Sequence, residues 1–135
     1  MRLVEACEPV FACVCRLNRS ARKGVSPPGG IDQVRAEVKQ ALDQSAARAQ
    51  SAGLKGPFDQ IEIVLLYFID WAIKTSRLPM ASKWREMAVE RGKPGGDEDF
   101  FDQLEQTLGE SSSGGEGATE RLGIFYVCMG LGFTG

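Results

Sequence analysis

At 135 residues the chain fits one compact domain, and 43% hydrophobic with 25% charged residues is the balance of a folded globular protein rather than a disordered or collagen-like one. Sixteen basic against eighteen acidic residues leave a formal net charge of −2, which argues against nucleic acid as the main partner. Histidine is absent, which excludes a His-containing triad, a Cys–His dyad, an HExxH zinc site and a histidine pH switch.

Three polar, glycine-rich stretches, 23–30, 92–96 and 109–117, read as loops that divide the chain. Ahead of the first, Leu3, Cys7, Val10, Val14 and Leu17 recur at alternating steps of four and three, the stripe of an amphipathic helix. Pro9 should kink this helix or mark its true first turn. Glu5, Glu8 and Pro9 also interrupt the apolar start, so it does not read as an export signal. Arg16, Arg19, Arg22 and Lys23 crowd the helix end, where positive charge complements the dipole; phosphate contact is the other reading. Asp32 is a candidate N-cap for a second helix carrying Val34, Val38, Ala41, Leu42, Ser45 and Ala49 inward and stopping at Gly53.

Pro57 opens a third element over about 58–76, and its length decides for a buried helix over a strand. Its longest unbroken apolar run, Ile63 to Ile69, is seven residues, against about 20 needed to cross a membrane, so the chain as it stands reads as soluble. A fourth helix is expected after Pro79, with Trp84, Met87 and Ala88 on its inner side and Gly92 as its stop. A fifth begins in Asp97-Glu98-Asp99 and is expected to bury Phe100, Phe101, Leu104 and Leu108. A sixth starts near Thr119 with Leu122, Phe125, Tyr126 and Met129. The prediction is an all-α single domain over 1–135 with about six helices.

Four motifs invite chemistry. Cys7, Cys13, Cys15 and Cys128 lack the paired CxxC spacing of a zinc site, and Cys13 and Cys15 point about 200° apart on a helix, so they read as buried free thiols. Gly130-Leu131-Gly132-Phe133-Thr134-Gly135 matches G-x-G-x-x-G, but no following helix or acidic partner completes a dinucleotide site; glycines that close a helix are the better reading. Counted from Asp97, a calcium loop would need Gly and Glu where Asp102 and Leu108 stand, so the acidic run reads as a charged helix start. Glu62 and Asp70 lie about 80° apart on the third helix, and Lys74 stands four residues after Asp70. They read as an exposed polar stripe; a partner-binding surface and an acid/base pair are the alternatives. No metal or cofactor site is predicted.

The order of several short motifs carries an identity that composition does not. Leu3-Val4-Glu5-Ala6-Cys7-Glu8-Pro9-Val10-Phe11 and Cys15-Arg16-Leu17-Asn18-Arg19 resemble the start of the TssL/DotU family, inner-membrane subunits of the type VI secretion system related to a type IVB secretion component. The likeness continues through Ile63 to Asp70, Leu78-Pro79, Lys83-Trp84, Gly96-Asp97-Glu98-Asp99-Phe100-Phe101 and Glu120-Arg121-Leu122. It ends in Phe125 to Gly135, where Leu131-Gly132-Phe133-Thr134-Gly135 is the most distinctive piece.

The resemblance implies a cytoplasmic, hook-like pair of small helix bundles at the inner membrane, joined to TssM and TssJ and docking a TssK-containing baseplate, without catalytic chemistry. A homodimer is a further partner it allows; nucleic acid and a small-molecule substrate are not expected. It casts Glu5, Pro9, Leu17, Asn18, Pro79, Trp84, Phe100, Phe101, Leu131, Gly132, Phe133 and Gly135 as motif residues with structural roles. Asp70 and Lys74, with Asp97, Glu98, Asp99 and Asp102, are the candidate partner contacts. Family members continue past Leu-Gly-Phe-x-Gly with further helices and a membrane anchor, so a C-terminally truncated member is expected. The reading from a different class is a small helical enzyme or ligand-binding domain using Glu62 and Asp70.

Overall fold

A computed structural model describes residues 1–25, 27–93 and 95–135. Among them are seven α-helices and no strand: α1 Leu3–Ala6, α2 Glu8–Arg22, α3 Gly30–Ser51, α4 Lys55–Lys74, α5 Met87–Glu90, α6 Gly96–Ser112 and α7 Ala118–Gly130, with a 3-10 turn at Ala81–Lys83. The all-α class is as expected.

The central element is α4, which packs against α2, α3, α5, α6 and α7. It joins two helix pairs, α2 with α3 and α6 with α7. Ile61, Leu65, Leu66, Phe68, Ile69 and Ile73 of α4 are fully buried, and burying a side chain of this size contributes about 1.5–3 kcal/mol. That density explains why its apolar run shows no single polar face.

Local chemistry sets the helix ends. Pro9 sits in the first turn of α2, where a missing N–H costs nothing, and the chain breaks at Cys7 (φ −88°, ψ 4°). The expected first helix is therefore two, α1 and α2. Asp32 is not the cap of α3: Gly29, at φ +82°, takes that place and Asp32 falls in the first turn, where its charge complements the helix dipole. The third predicted helix is α4, begun three residues earlier at Lys55. Short α1 is held by one local and one tertiary contact: the Arg2 amide at its N-cap donates to Glu5 Oε1 (3.1 Å), and the Leu3 amide donates to Glu120 Oε2 of α7 (2.7 Å). It lies so close to α7 that a Cβ on Gly123 would stand 2.8 Å from Val4 Cγ2. Arg121, nearly buried, reaches back from α7 to Glu110 of α6 (2.5 Å).

The fourth predicted helix is corrected. Trp84, Met87 and Ala88 do point inward, but the segment is a 3-10 turn, an extended stretch at Trp84 (φ −69°, ψ 122°) and Glu86 (φ −58°, ψ 126°), and the single turn of α5. The fifth is corrected in part. Phe100 is fully buried, yet Phe101 and Leu108 are 39% and 42% exposed, because α6 packs chiefly against α4 and α7 and leaves its far side uncovered among the described residues. Tyr126 of α7 is likewise 53% exposed.

Candidate functional site

Between α4, the strap 84–91 and the start of α6 lies a cleft of about 340 Å³, lined by Tyr67, Asp70, Trp71, Lys74, Glu86 and Phe133 among others. Five of the residues singled out in the sequence meet here: Asp70, Lys74, Asp97, Phe133 and Gly135.

Asp70 is not on an exposed stripe. It is 3% exposed, and its Oδ1 accepts from Trp84 Nε1 (2.9 Å) and the Met87 amide (2.8 Å), while Oδ2 accepts from the Ala88 amide (3.0 Å). The carboxylate therefore caps α5 from another helix, satisfying N–H groups that one isolated turn leaves without partners. This explains why the predicted fourth helix is interrupted. Burial pushes the Asp70 carboxyl above its ordinary range; the three hydrogen bonds oppose this and Glu86 adds to it. Lys74 pairs with Glu86 (2.7 Å) instead of Asp70.

The strap is gripped from a second direction by Arg35 of α3, which the sequence did not mark. Its guanidinium lies 4.9 Å over the Trp84 ring, donates to the Arg85 carbonyl (3.0 Å) and pairs with Glu90, whose carboxyl it holds below the ordinary range. Such a stacked, forked contact suits arginine and not lysine. Glu62 lies in a separate recess with Arg91 (2.8 Å). The two carboxylates considered as an acid/base pair thus line different cavities.

The acidic run opens α6 at the other wall. Gly96 has Tyr67 so close that a Cβ would stand 2.5 Å from its Cδ1, and the Tyr67 hydroxyl donates to Asp99 Oδ2 (2.5 Å), which also accepts from Gln103 (2.8 Å). Burial, then the Asp99 hydrogen bond and charge, raise the Tyr67 hydroxyl well above its ordinary pKa. Asp99 is therefore engaged within the chain. Asp97, Glu98 and Asp102 stay exposed, and Glu98 and Asp102 border a shallow groove with Lys93.

The terminal glycine motif closes the cleft. The Phe133 amide donates to the Cys128 carbonyl (3.1 Å) and the Gly132 amide to the Met129 carbonyl (3.0 Å), with Gly132 at φ +109°. This is a Schellman ending, which needs glycine at that position. It turns Phe133 inward against Phe100, Trp71 and Phe101 (ring centroids 4.1, 5.4 and 5.9 Å). Leu131 stays 39% exposed.

The other motif residues divide by environment: Leu17, Trp84 and Phe100 are buried, Pro9 and Asn18 half-buried, Glu5 and Pro79 exposed. All four cysteines are free, with Cys7, Cys13 and Cys128 buried and Cys15 half-buried. Burial pushes the Cys7 thiol up to about 12 and raises Cys13 and Cys128 as well. Among the described residues no group of three or more Cys, Asp or Glu is placed to hold a metal ion, and no helix is long and apolar enough to cross a membrane.

A family model described as type VI secretion system protein DotU matches residues 2–135. No curated protein and no solved structure matches the chain.

Proposed function

Because the chain belongs to the DotU family of type VI secretion system proteins, we propose that it works as an adaptor, joining other secretion subunits by protein–protein contact at the cytoplasmic face of the membrane complex. The observation that carries the docking surface is the outer face of α6. Asp97, Phe101, Leu104 and Leu108 follow one another at four, three and four residues, a single helical stripe. Phe101 and Leu108 are exposed and Leu104 half-buried, with Glu98 and Asp102 alongside. An apolar centre with a charged rim is the anatomy of a protein interface. Lys74 and Glu86 continue the polar rim at the cleft. Asp70, which holds the strap, and Asp99, which holds Tyr67 and Gln103, are engaged within the chain rather than facing a partner.

By family resemblance the partners are TssK-type baseplate and TssM- and TssJ-type membrane subunits. The test is co-purification of the chain with the cytoplasmic regions of TssK and TssM from the same secretion system. Binding is expected to fall at least about tenfold for Leu108→Glu and Asp102→Lys, which alter exposed groups. A folded chain that retains neither partner, or one whose binding ignores both substitutions, overturns the assignment.

A further inference from the structure

The C-terminal ends of α2, α4 and α7 converge on a recess of about 670 Å³. Its wall carries Arg19 and Arg22 from the last turn of α2 and Arg77 from the segment after α4, and among the described residues no acidic side chain borders it. All three arginines are exposed, and among the described residues none has a carboxylate within ion-pair distance. The Asn18 side-chain amide also lines the recess and makes no hydrogen bond among the described residues. Helix C-termini carry roughly half a negative charge each. Three of them therefore offset only about half of the three guanidinium charges, and the recess remains positive.

Shape narrows the ligand. A flat membrane surface is met by cations on a convex face, whereas these line a hollow that also exposes apolar groups of Cys15 and Leu131. A projecting chain segment that alternates carboxylates with apolar residues fits both features, and guanidinium forks pair with carboxylates through two parallel hydrogen bonds. We infer that this recess docks an acidic, Asp- and Glu-rich segment of a partner protein. The inference rests on the adaptor reading but uses a different face from α6, so the two fail separately.

Cys15 lines the recess and is the one cysteine that is not buried, which makes it a built-in reporter. The probe is a fluorescent synthetic peptide of Glu, Asp and Leu, titrated onto the whole chain at low and high salt. It is expected to bind more weakly as salt rises, and to slow the modification of Cys15 by a thiol reagent. Arg22→Glu and Arg77→Glu are each expected to lower its affinity about tenfold, while Arg85→Glu, the same charge change elsewhere, leaves it unaltered. Arg22→Ala and Arg77→Ala repeat the test without adding a negative charge.

Equal weakening by Arg85→Glu would reduce the effect to net charge and overturn the proposal. So would absence of peptide binding, or recruitment of the chain through these arginines by phosphatidylglycerol vesicles but not by the peptide. Loss of α6-dependent partner binding with peptide binding intact would count against the adaptor surface alone.

Discussion

Asp70 and Glu62 leave the same helix eight positions apart, and both belong to the side of α4 that meets the strap. Their surroundings differ in kind. At the Asp70 end, the carboxylate is buried and holds three donors, while Phe133 covers the neighbouring Trp71. At the Glu62 end, the side chain is 29% exposed and meets an Arg91 side chain that is 53% exposed. One end is held by groups that have no alternative to each other; the other is held by groups that water serves nearly as well. The same residue type is thus architectural in one place and ornamental a little over two turns away.

The largest effect is expected where the aromatic closure is removed. Phe133 is 4% exposed although it stands near the end of the sequence, and its ring contacts Phe100, Trp71 and Phe101. Phe133→Ala should lower stability in chemical denaturation by about 3–5 kcal/mol, the range for truncating a buried aromatic residue. Trp71 fluorescence should shift to the red as water reaches the ring. A loss below about 1 kcal/mol would mean that the terminal turn is not part of the core and that the Asp70 end owes its burial to the strap alone.

Next comes Asp70 itself. Asp70→Ala leaves the Met87 and Ala88 amides and the Trp84 indole without their acceptor, and stability should fall by about 2–4 kcal/mol. Asp70→Asn should cost less, about 1–2 kcal/mol, because its carbonyl can still serve Trp84 and Met87 while its amide opposes the Ala88 N–H. The pH dependence separates charge from geometry. The folded carboxyl titrates above its ordinary value of 3.8, so the folded state holds the proton more tightly than the unfolded chain. That contribution to stability is fully present below the ordinary pKa and is lost as pH rises through the raised one. Relative to Asp70→Asn, the natural protein should therefore gain stability as pH falls from neutral toward 3.8. A difference that is flat with pH, or that shrinks on acidification, would show that the hydrogen bonds outweigh burial.

This contrast was only half legible in the sequence. Periodicity located every long helix and turned Trp84, Met87, Ala88 and Phe100 inward, because burial on one face leaves a repeat that needs no knowledge of the partner face. The apolar content and length of α4 marked it as a buried helix for the same reason. Periodicity failed where the deciding partner is distant. Lys74, four residues after Asp70, made a surface pair the natural reading, whereas the true donors stand 14 to 18 residues away and Arg35 reaches the Arg85 carbonyl and Glu90 across 50 and 55. Phe101 and Leu108 failed differently: an apolar stripe has the same spacing whether it meets the core or a partner. The interruption of the fourth helix does have a signal in retrospect. An acid within an otherwise apolar run requires donors, and a buried Trp followed by a single helical turn supplies them.

The smallest effect should come from Glu62→Gln. The exposed pair with Arg91 gains little Coulomb energy in water and orders two flexible side chains, so removing its charge should change stability by less than about 0.5 kcal/mol, and less still at high salt. The substitution keeps an acceptor for the guanidinium and leaves the separate Asp70 cleft untouched. Its small cost would therefore isolate surroundings, rather than residue type, as the origin of the Asp70 effect. A loss approaching that of Asp70→Asn would instead mean that Arg91 anchors the strap as firmly as the buried carboxylate does. The two ends of the strap would then be held by one cooperative network, and a double substitution of Glu62 and Asp70 would cost less than the sum of its parts.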